Sequence, residues 1–167
     1  GLMWGFQLWV NLPARDKMTA PRYQEIPPAD IPSVSLPGGV SVKVIAGEVA
    51  GVRGPINGIA TEPTMLDIAL PARGAVTLPV PTTHAVFLYP FQGDVAVGES
   101  PDRVGHGNLA VLGAGDTVRI AAPDGEARVL LVAGRPLNEP VARYGPFVMN
   151  TPQEIRQAAM DFQAGRF

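Results

Sequence analysis

From residue 40 onward the chain consists of short apolar runs separated by turn residues, and this spacing constrains the fold more than any other feature. Each break contains glycine, proline or aspartate, the residues that supply the backbone angles of tight turns. Short apolar runs at regular spacing are typical of sandwiches and small barrels. The sequence therefore predicts an all-β domain with strands at residues 40–46, 65–70, 75–80, 85–91, 94–97, 109–112, 117–121 and 127–133.

Length and composition agree with one barrel-sized domain. The 167 residues are 46% hydrophobic and include 19 glycines and 18 prolines, a content that favours short strands over long helices. A net charge of −2 gives no attraction to phosphate backbones or anionic lipids, so neither nucleic acid nor a membrane is an expected partner. The chain has no cysteine, which excludes disulfides and thiolate sites and is consistent with a reducing, cytoplasmic location.

The segment before these runs divides into two parts. Apolar side chains alternate along residues 6–12, which predicts a half-buried strand. Six prolines between residues 13 and 37 then exclude a continuous helix or central strand and indicate a connector. The apolar residues 1–10 lack a basic start and are shorter than the ~20 residues that cross a bilayer, so they are interpreted as neither a signal peptide nor a membrane span.

One short helix is predicted at the C-terminal end. Thr151 can cap it, a proline follows at the first helical position, and Glu154 completes a capping box. Ile155, Ala159 and Phe162 fall on one stripe, and a glycine at 165 is placed to end the helix. We expect this stripe to be buried against the outside of the barrel.

Three segments carry a resemblance to a known family. They are GFQLWVNLP (residues 5–13) followed by PRYQ (21–24), GEVAGVRGPI (47–56), and a C-terminal stretch that includes YGPFVMNT (144–151). Together they resemble the C-terminal half of pirins, which are built from two cupin barrels. The resemblance implies a cupin-type barrel, a double-stranded β-helix or jelly roll. It also implies four segments: residues 1–20 belong to an N-terminal barrel that this chain lacks, 21–39 form a linker, 40–150 form the C-terminal barrel and 151–167 form the helix.

The same resemblance implies two alternative functions. Some pirins are associated with metal-dependent dioxygenase activity on flavonols such as quercetin. Others are associated with regulatory protein binding, including transcription cofactor behaviour. In both cases the metal, iron or a similar transition metal, is expected in the N-terminal barrel. The chain is therefore interpreted as a metal-free cupin half with no cofactor of its own, and the protein-interaction module stays open as the alternative.

Candidate metal ligands within the chain are few. Cupin metal sites combine His-x-His, a glutamate and a further histidine, a set of imidazoles and one carboxylate that leaves open positions on the ion. His84 is the one weak candidate, because no second histidine or glutamate lies near it in sequence. His106, between two glycines, is interpreted as a turn residue, and Glu99 or Asp116 would be needed to complete any site. We therefore assign no catalytic, cofactor-binding or metal-binding residue.

The remaining candidates concern contacts. Trp4, Phe6, Trp9 and Val10 are assigned to an interface, because large apolar side chains on an edge strand favour pairing with a partner. That partner is expected to be the N-terminal barrel or a second copy of the chain. Arg53 and Arg143, the latter with Tyr144 beside it, are candidates for a functional or inter-domain role, and local salt bridges are the alternative.

Overall fold

The computed structural model describes residues 5–99 and 102–166. Nearly all of the regular structure is β, and it is joined by tight turns. In chain order the elements are β1 (Ser33–Leu36), β2 (Val40–Ala46), β3 (Glu48–Val49), β4 (Val52–Arg53), β5 (Thr64–Leu70), β6 (Ala75–Pro79), β7 (Ala85–Gln92), β8 (Val95–Val97), β9 (Asp102–Val104), β10 (Ala110–Val111), β11 (Thr117–Ala121), β12 (Ala127–Gly134), β13 (Ala142–Tyr144), β14 (Phe147–Met149) and α1 (Pro152–Gln163).

The chain groups into two compact units. Residues 24–136 form the first, which we call the barrel unit, and residues 1–23 with 137–167 form the second, which we call the terminal unit.

Two antiparallel sheets build the barrel unit. The larger has the strand order β1-β2-β5-β12-β7-β10, and the smaller has the order β6-β11-β8-β9. β12 lies inside the larger sheet, where it pairs with β5 on one side and β7 on the other. Alternate residues along β2 and β5 are buried, as expected for strands with one face toward a core. Side chains from both sheets form that core, among them Val42, Ile68, Leu88, Ile120 and Leu131.

The all-β prediction is confirmed, and the eight predicted strands agree with β2, β5, β6, β7, β8, β10, β11 and β12 to within one or two residues at each end. Four further strands of the barrel unit escaped prediction for a physical reason. β1 lies inside the proline-rich connector and pairs with β2, whereas β9, β3 and β4 are too short or too polar to show a period. Each of them is defined by pairing with the strand next to it in the chain, β1 with β2, β3 with β4 and β9 with β8, and that pairing is not visible in such short segments.

The terminal unit contains the β13–β14 hairpin, α1 and the N-terminal segment. The predicted strand at residues 6–12 is wrong for the described structure, because residues 5–13 have no strand assignment. Alternation of apolar residues is compatible with a strand, but only a hydrogen-bonded neighbour produces one. A single turn of 3₁₀ helix, Ala14–Asp16, follows this segment.

The helix forms as predicted, and its cap has the expected geometry. Thr151 Oγ1 accepts a hydrogen bond from the Glu154 N–H at 3.2 Å, and the Glu154 carboxylate accepts from the Thr151 N–H at 2.8 Å. Of the predicted stripe, Ile155 is buried and Ala159 is half-buried, but the predicted burial is wrong for Phe162, whose exposed fraction is 61%. Ala158 is the second buried residue of the helix and lies on the same face as Ile155 and Phe162. Phe162 follows on that face in the last turns of the helix, where its ring contacts Phe147 but stays mostly exposed. Among the described residues, no helix is long and apolar enough to cross a membrane.

Candidate functional site

His84, the weak metal candidate, lies immediately before β7. Its side chain is buried, with 4% of its surface exposed, and its Nε2 lies 3.9 Å from Glu62 Oε2. Its backbone N–H donates to the Pro81 carbonyl at 3.0 Å, which closes the turn that leads into β7. Two residues along the chain, where a His-x-His motif would place its second imidazole, Val86 is buried in the apolar core. The barrel interior next to His84 is therefore filled by aliphatic side chains.

Glu62 connects His84 to the end of β12. Its Oε1 lies 2.5 Å from an Arg135 guanidinium nitrogen, while the Arg135 backbone N–H donates to the Thr61 carbonyl at 2.8 Å. Glu62 has a φ of 48°, a left-handed conformation that is uncommon for a residue with a side chain. The backbone is thus held in a strained turn that presents the carboxylate between an imidazole and a guanidinium group.

Two buried polar atoms in this cluster have no hydrogen-bond partner in the structure, Thr61 Oγ1 and His84 Nδ1. Leaving a buried polar group unsatisfied typically costs about 1–3 kcal/mol. The cluster does not fit the metal site of a cupin, because it offers one imidazole and one carboxylate. More generally, residues 5–99 and 102–166 contain no group of three or more histidine, cysteine, aspartate or glutamate side chains that could hold a metal ion.

The other candidates from the sequence do not join this cluster. Glu99 and Asp116 are exposed. His106 lies in an exposed turn between β9 and β10, as predicted, and its backbone N–H donates to Asp94 Oδ1 at 2.8 Å. All three positions lie in exposed turns or bends, and we assign them no chemistry.

A cleft of about 600 Å³ lies beside Glu62 and is bordered by the β3–β4 hairpin. Arg53 lies on its rim and forms an exposed ion pair with Glu48, with Nε and Oε2 2.9 Å apart. That hydrogen bond raises the pKa of the Arg53 guanidinium above its usual value. Gly54 packs so closely against β2 that a Cβ there would lie 2.6 Å from the Ile45 carbonyl carbon. Arg53 therefore pairs with Glu48 inside its own hairpin, which corresponds to the local salt-bridge alternative for this residue.

The predicted interface residues lie in the terminal unit, apart from Trp4, which lies outside the described residues. Phe6, Trp9 and Val10 are exposed, and Trp9 has 64% of its surface accessible. Trp9 and Val10 line a groove of about 540 Å³ together with Arg143. Tyr144, the neighbour of Arg143, is exposed. The structure thus brings part of the predicted interface and Arg143 to one surface.

Sequence reasoning missed Thr61, Glu62 and Arg135. Glu62 and Arg135 lie 73 positions apart in the sequence, and neither stands in a recognisable motif. What brings them together is the pairing of β12 with β5 and β7, whose ends meet at this rim. The Thr-Glu-Pro sequence at residues 61–63, just before a strand, is a turn signal, but it does not reveal a strained φ.

The two-sheet antiparallel barrel, with an aliphatic interior, defines the class of the protein as a cupin-type barrel without a metal-ligand set of its own in the described residues. A quercetin 2,3-dioxygenase structure from Acinetobacter baumannii matches it with a TM-score of 0.87 and 37% identity, over 95% of this chain and 55% of that one.

The sequence profile described as "Pirin C-terminal cupin domain" matches residues 65–167. A pirin-like protein of Caulobacter vibrioides is 49% identical over 100% of this chain and 60% of its own length. A putative quercetin 2,3-dioxygenase of Pseudomonas aeruginosa is 43% identical over 99% of the chain and 59% of its own length. The chain belongs to the pirin family. It spans about three fifths of the length of these two relatives.

Proposed function

We propose that this chain is the metal-free C-terminal barrel of a pirin-type protein whose complete form is a metal-dependent dioxygenase acting on flavonols such as quercetin. The observation that carries this proposal is the similarity to a quercetin 2,3-dioxygenase structure along 95% of the chain. The P. aeruginosa relative, named a putative enzyme of the same activity, supports it. In the proposal, iron or a similar metal is held by an N-terminal barrel.

The barrel unit then has a structural role. Its core buries Val86 at the position where a His-x-His motif beginning at His84 would place a second imidazole, and we assign this core to stabilising the fold. Residues 1–20 would belong with the N-terminal barrel, and the exposed residues Phe6, Trp9 and Val10 would be covered by it. A cytoplasmic location is part of the same proposal.

The test compares this chain with the full product of its reading frame. Both are incubated with ferrous iron, and metal content and oxygen uptake with quercetin are measured. We expect the longer protein to hold about one iron and consume oxygen, and this chain alone to do neither. Near one metal ion per isolated chain, lost in a His84→Ala variant, would contradict the assignment of the metal to the other barrel. A longer protein that takes up no oxygen with quercetin would contradict the activity.

A protein-interaction module is the second candidate, and the exposed apolar residues of the terminal unit favour it. A regulatory pirin would use such a surface for a separate protein partner and would show no flavonol-dependent oxygen uptake. Oxygen uptake by the metal-loaded longer protein therefore separates the two functions, whatever covers the surface.

A further inference from the structure

Asn57 is followed by Gly58 in the connection between β4 and β5, and this neighbour distinguishes it from the other asparagines. The chain has five asparagines, and only Asn57 precedes a glycine. Leucine, leucine, glutamate and threonine follow the other four, which are Asn11, Asn108, Asn138 and Asn150. Because glycine has no Cβ, its backbone nitrogen is the least hindered toward the side chain that precedes it.

The structure leaves the Gly58 nitrogen accessible. Residues 57–59 have no helix, strand or turn assignment, and both Asn57 and Gly58 are exposed. Gly58 has a φ of 70°, a left-handed conformation that glycine adopts without strain. Within residues 5–99 and 102–166, the Gly58 N–H donates no hydrogen bond. The fold therefore does not hold this nitrogen away from the Asn57 side chain.

Asn150 shows how the fold can prevent a reaction between the two groups. It is half-buried, and the N–H of the following residue, Thr151, donates to the Glu154 carboxylate at 2.8 Å in the helix cap. A nitrogen held in that bond is not available to the preceding side chain. At the other site, Asn57 Nδ2 donates to the Pro55 carbonyl at 3.0 Å. That bond engages the nitrogen that would leave, and not the backbone nitrogen that would attack.

An asparagine side chain can be attacked by the next backbone nitrogen, because the product is a five-membered ring. At this site the Gly58 nitrogen loses its proton to solvent and bonds to Asn57 Cγ. The bond from Cγ to Nδ2 breaks, and Nδ2 takes up a proton and leaves as ammonia. Water then adds to either carbonyl of the resulting succinimide and breaks a C–N bond of the ring. The product is an aspartyl or isoaspartyl residue, and the reaction needs no oxidant or reductant.

The cleft of about 600 Å³ beside Glu62 is the surface that this reaction would change, since Asn57 lies in its lining. Each carboxylate of the lining has a guanidinium partner. Glu48 pairs with Arg53, and Glu62 pairs with Arg135. A carboxylate formed at position 57 would add negative charge to a lining whose acidic groups are already paired.

We propose that Asn57 is a site of spontaneous deamidation, which turns this cleft acidic as the protein ages. The reaction is hydrolysis of a side-chain amide through a succinimide, with water as the co-reactant. The modified chain carries one more negative charge than the formal −2 of the unmodified sequence. This inference does not depend on the proposed dioxygenase function, because it concerns a loop of the barrel unit and uses no metal.

Peptide mapping by mass spectrometry tests the proposal on the folded chain. Trypsin releases Asn57 in the peptide of residues 54–73 and Asn108 in the peptide of residues 104–119. The chain is incubated in mildly alkaline buffer, with and without urea, before digestion. In the folded chain we expect residues 54–73 to give two isomeric deamidated products and residues 104–119 to stay unchanged. The rate at residues 54–73 should lie within about tenfold of the rate in urea, because an exposed loop opens at almost no free-energy cost.

Asn57→Gln is the matched control, because attack on its side chain must close a six-membered ring and is much slower. Wild type should gain an acidic species on ion exchange after the incubation, and the variant should not. An equal acidic species in Asn57→Gln, or equal conversion of the two peptides, would overturn the proposal. So would a rate in the folded chain more than about tenfold below that in urea.

The same mapping on the full product of the reading frame shows whether the site stays accessible in the longer protein. We expect residues 54–73 to convert there at the rate seen in this chain. Protection of that peptide in the longer protein, with conversion restored by urea, would overturn the assignment of Asn57 as a modification site.

Discussion

The barrel unit buries most of its apolar side chains, whereas the terminal unit leaves most of its own exposed. In the barrel, both sheets direct aliphatic residues into one core, and Val42, Ile68 and Leu88 have no exposed surface. In the terminal unit, the buried residues among those described are Pro13, Ile155 and Ala158. Large apolar side chains there remain exposed, including Phe6, Leu8, Trp9, Val10, Val141, Tyr144, Met160 and Phe162.

The difference shows how stability is distributed in this chain. Burial of apolar surface contributes roughly 25 cal/mol per Å², so a unit with a shared core can hold its fold by itself. A unit with few buried residues gains little from burial and depends on its caps, hairpin bonds and whatever covers it. We therefore expect the barrel unit to hold its fold by itself and the terminal unit to depend on its local hydrogen bonds and on whatever covers its apolar side chains.

The largest effect is expected in the barrel core. Leu88→Ala removes a fully buried side chain from β7 and should lower the free energy of unfolding by about 2–5 kcal/mol. Val111→Ala, on the neighbouring strand β10 with 75% of the side chain exposed, should change it by less than about 0.5 kcal/mol. Urea unfolding measures both. Similar losses in the two variants would mean that the barrel is not the stable scaffold.

A smaller effect is expected for Ile155, the main buried side chain of α1. Ile155→Ala should cost about 2 kcal/mol, the lower end of the usual range, because Ile155 keeps 9% of its surface exposed. Phe162→Ala should cost at most about 1 kcal/mol, since it removes one aromatic contact from an exposed residue. Hydrogen exchange of the α1 amides measures the loss of stability in both variants. A larger loss in Phe162→Ala would show that Phe162 is covered in solution.

Removing the helix cap should lower stability by less than removing Ile155. Thr151→Ala removes the hydrogen bond that Thr151 Oγ1 accepts and should destabilise α1 by about 1 kcal/mol. Thr151→Ser keeps the acceptor and should have little effect. The exchange rates of the first-turn amides provide the measurement. If alanine and serine behave alike, capping does not hold the helix in place.

The smallest expected effect is the pH dependence of the helix cap, which involves the Glu154 carboxylate. Hydrogen bonds from the Asn150 and Thr151 backbone N–H groups lower the pKa of Glu154 below its ordinary value. Because the folded pKa is depressed, this stabilisation is fully present above the ordinary pKa of about 4.3 and is lost as the pH falls through the lower, folded value. Amide chemical shifts of Asn150 and Thr151 should thus be constant from pH 7 to about 5 and change in stronger acid.

Glu154→Gln serves as the control for that titration, because it keeps an acceptor but has no proton to gain. It should abolish the acid-dependent shift at Asn150 and Thr151. A wild-type midpoint at or above the ordinary glutamate value would contradict the hydrogen-bonded geometry of the cap.

The sequence predicts the two regions unequally well, for a physical reason. β2 and β11 match their predicted bounds, and α1 begins at its predicted cap, because alternation, turn residues and capping are local signals. The β13–β14 hairpin was not predicted, because each of its strands has only three residues and shows no alternation. Residues 6–12 alternate but form no assigned strand, because alternation alone does not supply a hydrogen-bonded partner. Glu62, His84 and Arg135 meet only through the register of the larger sheet, so their cluster could not be predicted from spacing.

Hydrogen exchange of the whole chain, followed residue by residue, tests the contrast between the two units most directly. The account predicts that amides of β5, β7 and β12 exchange only through global unfolding. Amides of residues 5–12 and of β13–β14 should exchange much faster, through local opening that costs a small part of the global free energy. Equal protection in both units, with a single common free energy of opening, would contradict the claim that the barrel is self-sufficient and the terminal unit is not.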